Sequence, residues 1–129
     1  NITFTNFKVS SLAYSPNTNG SHIGNSTQVK ITNSKIGTND DCISLGDGSR
    51  EVIILNVTCR PDSISVGSLV KYSNEEFVED LIVKNSTLRN TNNGLRIKTW
   101  PGTPIISLAF DFHFEDITMI KVGNPIIID

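Results

Sequence analysis

A short strand with an asparagine at its end recurs along this chain: Phe4-Thr5-Asn6, Ile31-Thr32-Asn33, Ile54-Leu55-Asn56, Val83-Lys84-Asn85 and Phe114-Glu115-Asp116, at intervals of 27, 23, 29 and 31 residues. Self-similarity at that period, with no helical periodicity around it, is the mark of a solenoid whose coils are built from strands. A second column follows the four later anchors by 12, 10, 12 and 12 residues: Ile43-Ser44-Leu45, Ile64-Ser65-Val66, Leu95-Arg96-Ile97 and Ile126-Ile127-Ile128. Each coil therefore carries at least two strands. Alternation predicts that Ile43/Leu45, Ile64/Val66 and Leu95/Ile97 point inward, with Ser44, Ser65 and Arg96 outward on one shared surface that His22 joins from the first coil. Parallel stacking would line up Asn6, Asn33, Asn56, Asn85 and Asp116 at a turn, amide above amide. The predicted architecture is all-β, a right-handed parallel β-helix of roughly five coils, with residues 1–129 as a single domain.

Composition changes this picture little. The chain has 129 residues, enough for one modest core, and is 37% hydrophobic without an apolar run of membrane-spanning length. Val, Ile and Thr are plentiful and turn formers are closely spaced, which disfavours helix throughout; Ser73 to Asp80 is the place for a turn of helix or a protruding loop.

The net charge of −2 gives no reason to expect a nucleic-acid or membrane partner. A local basic patch remains open. Arg96 and Lys98 occupy outward positions i and i+2 of one strand, on the serine face. Lys71 and Arg60 follow nearby in coil order and read first as solvated surface.

Cys42 and Cys59 are the two cysteines, one opening an outer-facing strand and the other closing the first strand of the next coil. Stacking can bring them together as a disulfide, or leave two buried thiols. Five Asn-x-Ser/Thr sequons, at Asn1, Asn19, Asn25, Asn56 and Asn85, fit a secreted, cell-wall or extracellular chain but also follow from a high Asn content. No initiating Met or signal peptide opens the sequence, as in a processed chain or a fragment.

Candidate chemistry sits just before the second strand of each coil, at Asn17-Thr18-Asn19-Gly20, Asn39-Asp40-Asp41, Pro61-Asp62-Ser63 and Asn92-Asn93-Gly94. Polar residues suit such corners without any function. Asp40 and Asp41 are the exception of interest: two neighbouring carboxylates reach one cleft only if they lie in a turn or bulge. Crowding then raises the pKa of one of them, which can serve as a general acid.

The ordered motifs Asn17-Thr18-Asn19-Gly20, Asn39-Asp40-Asp41-Cys42-Ile43-Ser44, Cys59 to Leu69, Gly94-Leu95-Arg96-Ile97-Lys98-Thr99-Trp100 and Asn124 to Asp129 resemble the polygalacturonases, family 28 of the glycoside hydrolases, in their plant secreted form. The resemblance runs through nearly the whole chain. It implies a parallel β-helix and inverting hydrolysis of α-1,4-galacturonan (pectin), with one carboxyl protonating the leaving oxygen and a carboxylate activating water from the opposite face. By position Asp40 is then the general acid, Asp41 helps to activate water, Arg96 and Lys98 hold substrate carboxylates, and Cys42 pairs with Cys59. No cofactor or metal is implied.

Two departures from the family pattern bear on turnover. The first motif of the family ends in aspartate where this chain has Asn19, and an amide can position water but hardly deprotonate it. Asn19 also opens a sequon, and a glycan there would block the cleft. After Cys59 the family has Gly-Pro-Gly-His-Gly-Ile-Ser, whereas this chain reads Arg60-Pro61-Asp62-Ser63-Ile64-Ser65, one residue shorter and without the histidine. His22 matches a different family position and does not replace it. Asp62 adds negative charge beside Asp40 and Asp41, which would repel a polyuronate.

The expected function is therefore that of a polygalacturonase-family cell-wall protein that acts on or binds galacturonan, with weak or lost turnover. The alternative is a non-catalytic interaction or structural module with a protein partner or with calcium, for which Asp40, Asp41, Asp47 and Asp62 supply oxygens. The chain resembles the middle of a longer family member. Open solenoid ends near Ile2, Phe4, Phe7 and Ile126 to Ile128 would be covered by self-association or by another structure. Trp100, beside a turn, reads first as packing and second as a sugar platform.

Overall fold

Every rung of this molecule is a consequence of strand period and corner chemistry. The computed structural model describes residues 1–12, 14–102 and 109–129. Nine strands occur among them: β1 (Ile2–Thr5), β2 (Lys8–Ser10), β3 (Ser21–Ile23), β4 (Thr27–Gly37), β5 (Ile43–Leu45), β6 (Arg50–Cys59), β7 (Ile64–Leu69), β8 (Val78–Thr99) and β9 (Ala109–Ile128). All their pairings are parallel. No helix among the described residues is long and apolar enough to cross a membrane.

The strands stack into three columns of five rungs, joined by four coil-to-coil steps, as a right-handed parallel β-helix. In the first column Phe4, Ile31, Ile54, Val83 and Phe114 are register partners, which is the periodicity expected from the sequence. The third column aligns Ile23, Leu45, Val66, Ile97 and Ile128. Between them lies a second column absent from the sequence reading, in which Val9, Ile36, Cys59, Leu88 and Met119 align. The reason it was missed is that β4, β6, β8 and β9 run straight through the intervening corner, so that one continuous strand serves two walls in β4 and β6 and all three in β8 and β9.

Backbone conformation makes that corner. Asn6, Asn33, Asn56, Asn85 and Asp116 all adopt positive φ, between 51 and 56°. Asn and Asp enter this left-handed region more readily than other L-residues, because their short polar side chains can bond locally. Asn56 Nδ2 also donates to Asn33 Oδ1 of the rung before it, at 2.8 Å, as the expected ladder requires. A second set of positive φ values, at Gln28, Glu51, Asp80 and Asp111, bends the chain into the first column.

The core fills the lumen with branched aliphatics. Ile31, Ile43, Leu45, Val52, Ile54, Leu81, Val83 and Leu88 are fully buried, and each such side chain contributes about 1.5–3 kcal/mol by leaving water. The terminal rungs stand open: Ile126 is 69% and Ile128 73% exposed. The segment expected to be a turn of helix or a loop is a loop, and its strand resumes at Val78. The Glu75 carboxylate ties it down by accepting the N–H groups of Val70, Lys71 and Tyr72 at 2.5, 3.0 and 3.1 Å.

Candidate functional site

The third column presents His22, Ser44, Ser65 and Arg96 in register on its outer side, the column expected from alternation. The two serines are nevertheless buried, at 3% and 0% exposure. Polar groups from the neighbouring corner cover them. Asn19 Nδ2 donates to Ser44 Oγ at 3.2 Å, and the same hydroxyl meets His22 Nδ1 at 2.7 Å. Ser65 donates to Asp41 Oδ2 at 2.6 Å.

Asp41 is the centre of this arrangement. Its Oδ1 accepts from Ser63 Oγ at 2.5 Å, and its Oδ2 accepts from both Ser65 Oγ and Lys98 Nζ, the latter at 3.0 Å. Burial on its own would raise the Asp41 carboxyl. Hydrogen bonds from Ser63, Ser65 and Lys98, with the lysine charge, outweigh burial and hold it below the usual carboxylate range. The sequence reading assigned one of the crowded Asp40/Asp41 pair a raised pKa, and Asp41 moves the other way.

The pair does lie in a turn. Thr38 Oγ1 donates to the Asp40 carbonyl, and Asp40 Oδ1 caps the Asp41 N–H at 2.8 Å. The raised carboxyl belongs to Asp62, half-buried on the loop before β7. Burial raises it first, and the charges of Asp41 and Asp40 raise it further. The three carboxylates thus act on one corner, with Ser63 supplying a donor to Asp41.

Two close backbone approaches hold this corner in place. A Cβ on Gly20 would collide with Ile36 and with the Cys42 carbonyl, so only glycine lets its N–H reach the Asp41 carbonyl at 3.0 Å and set Asn19 over Ser44. Gly67, at φ +104°, leaves no room for a Cβ against the Lys98 carbonyl. Cys42 and Cys59 form a disulfide across two rungs with Cα atoms 5.7 Å apart. Both cysteines are buried, and the Asp41 corner is thereby tied to the end of β6.

Both basic candidates are already paired. Arg96 grips Asp129 with two hydrogen bonds, at 3.1 and 2.7 Å, while Lys98 holds Asp41. Arg60 and Lys71 do not extend their pair. Arg60 lines a groove with Lys8 and Lys35 beside the second column, and Lys71 lies 4.8 Å from the Trp100 ring centroid and 5.2 Å from that of Tyr72. Trp100 itself remains 45% exposed. Among the described residues no three His, Cys, Asp or Glu side chains gather so as to hold a metal ion, which leaves the calcium reading of Asp40, Asp41, Asp47 and Asp62 without geometric support.

What sequence reasoning missed is the engagement of Asp41 by two serines. Ser63 and Ser65 lie 22 and 24 residues beyond it, one coil length, so the repeat itself carried the information.

Comparison with known proteins places this geometry. The family model for glycosyl hydrolases family 28 matches residues 1–129. A polygalacturonase of Medicago sativa is 55% identical over 100% of this chain, which covers 31% of that protein. A polygalacturonase of Brassica napus and an exopolygalacturonase of Oenothera organensis are each 54% identical over the whole chain, with 33% and 36% of their own lengths covered. The chain thus spans about a third of the length of the curated relatives it matches. With a parallel β-helix whose ordered motifs fall on one outer column, and a family match from the first residue to the last, this chain belongs to family 28 of the glycosyl hydrolases.

Proposed function

We propose that the chain carries the galacturonan-binding groove of a cell-wall polygalacturonase whose turnover is weak or lost. The single observation behind this reading is the state of Asp41. A carboxylate held below its usual range by two hydroxyls and an ammonium is a poor proton acceptor, and Asn19, which would share its work, offers an amide bonded to Ser44. The loop Arg60 to Ser63 brings no imidazole to the corner and adds the Asp62 carboxyl instead.

In this reading Asp40 is the general acid toward the glycosidic oxygen, and Asp41 organises the groove rather than driving water. Arg96 and Lys98 receive uronate carboxylates. The Arg96–Asp129 pair is partly open to solvent, its side chains 31% and 43% exposed, and surface pairs contribute little, so a substrate carboxylate can take the place of Asp129 at small cost. The formed disulfide fits an oxidising, extracellular location. The sequon asparagines Asn1, Asn25 and Asn85 are exposed, which leaves them open to glycosylation, whereas the Asn19 and Asn56 amides are engaged by Ser44 and Asn33.

Reducing-end release from polygalacturonate at mildly acidic pH, with Asp40→Asn as blank, tests the proposal. The expected result is release close to the blank from folded protein that still binds polygalacturonate. Release at the rate of a relative with complete motifs would overturn the loss of turnover. Absence of binding would overturn the groove.

A further inference from the structure

The second column carries its own charge pattern. Its five segments, residues 7–11, 34–38, 57–61, 86–91 and 117–122, contain one cation each, Lys8, Lys35, Arg60, Arg89 and Lys121, and no Asp or Glu. All five cations are exposed. Lys8 and Lys35 are register partners on consecutive rungs, and the Arg60 N–H continues the ladder onto the Ile36 carbonyl at 3.0 Å. Arg89 pairs in register with Ile120, next to Lys121. The cations therefore step diagonally over five rungs, each separated from the next rung by about 4.8 Å.

None of the five forms an ion pair among the described residues, whereas Arg50, Lys84, Arg96 and Lys98 all do. The chain has 13 acidic residues and a net charge of −2, so a wall with five cations and no carboxylate is a segregation of charge that the composition does not require. Two grooves open along it. One of about 270 Å³ is lined by Lys8, Lys35, Thr58 and Arg60 among others. The other, of about 400 Å³, runs from Arg60 and Pro61 to Thr38 and Asn39, the residues that lead into the Asp40/Asp41 corner.

We propose that this wall is a second binding surface for an acidic polysaccharide, which it takes as a chain of de-esterified uronates laid along the rungs. The choice of polyanion rests on the galacturonan reading of the neighbouring groove. Its chemistry is favourable on two counts. Unpaired Lys and Arg need no partner to be displaced before they meet a carboxylate, unlike Arg96 and Lys98. The ladder also offers hydroxyls between the charges, with Thr58 and Thr87 in register after Lys35 and Thr118 after them, which can donate to and accept from the hydroxyls of a sugar. Such a surface would hold a pectin chain beside the groove and raise its local concentration there.

The test compares binding of a polygalacturonate oligomer by titration calorimetry to four proteins: the unaltered chain, the groove variant Arg96→Ala/Lys98→Ala, the wall variant Lys35→Gln/Arg60→Gln, and their combination. The expected result is that the groove variant keeps salt-sensitive binding and that adding the wall substitutions lowers its affinity at least tenfold, with unchanged melting temperature. Fully methyl-esterified pectin should not bind the wall. If the wall variant binds like the unaltered chain, or the groove variant loses all binding, the second surface is overturned. Loss in the wall variant alone would instead sink the groove and leave the wall standing. Equal binding of a DNA duplex by the groove variant would overturn the assignment to polysaccharide.

Discussion

The two corners of the coil differ most over its first three rungs. At the corner between the first and second columns the same kind of residue recurs, Asn6, Asn33, Asn56, Asn85 and Asp116, all with nearly the same positive φ. At the corner that leads into the third column the first three rungs each supply something different, Asn19, then Asp40 and Asp41, then Asp62 and Ser63, and only the last two repeat, with Asn124 Nδ2 donating to Asn93 Oδ1 at 3.0 Å. The first corner poses one backbone problem five times, and a left-handed conformation that costs most L-residues roughly 1–2 kcal/mol has the same answer each time. Over those first three rungs the second corner is freed from repetition by hydrogen bonds between unlike side chains, Asn19 to Ser44 and Ser63 and Ser65 to Asp41. Recurrence down a solenoid thus marks what the backbone demands, and its failure marks where selection can act on chemistry.

Perturbing the two corners should therefore have different signatures. The largest expected effect comes from the disulfide that ties the site corner to β6. Replacing Cys59 by Ser should cost about 3 kcal/mol on the chain-entropy model and lower the melting temperature in oxidising buffer. It should also weaken galacturonan binding, because Cys42 adjoins Asp41; binding that survives unchanged would separate the disulfide from the site. Asp41→Ala comes next. It leaves the buried Ser65 hydroxyl without its acceptor, at a cost of about 1–3 kcal/mol in chemical denaturation, and frees Lys98.

The recurrent corner should respond in stability alone. Asn33→Val, which forces a β-branched residue to positive φ and breaks the bond from Asn56, should cost about 1–2 kcal/mol while leaving polygalacturonate affinity within error. A change in affinity there would break the contrast between the corners.

The smallest effect is a pH dependence. The Asp62 carboxyl is raised in the folded state, so its ionisation opposes folding: the cost is absent below the ordinary value of 3.8 and fully present above the raised folded value. Asp62→Asn should therefore raise the melting temperature at neutral pH and leave it unchanged near pH 3. Asp41 runs the opposite way. Its depressed carboxyl stabilises the fold above 3.8, and that contribution disappears as the pH falls through the lower folded value.

Much of this was legible from residues. Strand period fixed the registers of Phe4, Ile31, Ile54, Val83 and Phe114 and the outer column of His22, Ser44, Ser65 and Arg96. The positive φ values at Gln28, Glu51, Asp80 and Asp111 were not legible, since Gln28 and Glu51 seldom enter the left-handed region and no single residue type recurs at the four positions. Nor was the wall on which Arg60 sits. It lies just past the end of β6, and the position of the bend, rather than any local pattern, sends it toward Lys8 and Lys35 instead of Arg96.

The sequence by itself determined the solenoid, because alternation of apolar residues and a recurrent left-handed asparagine act locally and repeat at one coil length. It also named the residues of the candidate site, which its ordered motifs carry. Only the tertiary structure decided their states. Lys98 reaches Asp41 across 57 residues, Asn19 and Asp41 close over serines that alternation alone leaves exposed, and Asp62 instead of Asp41 acquires the raised carboxyl. Burial and charge depend on which rungs lie above and below, and those neighbours exist only once the coils have stacked.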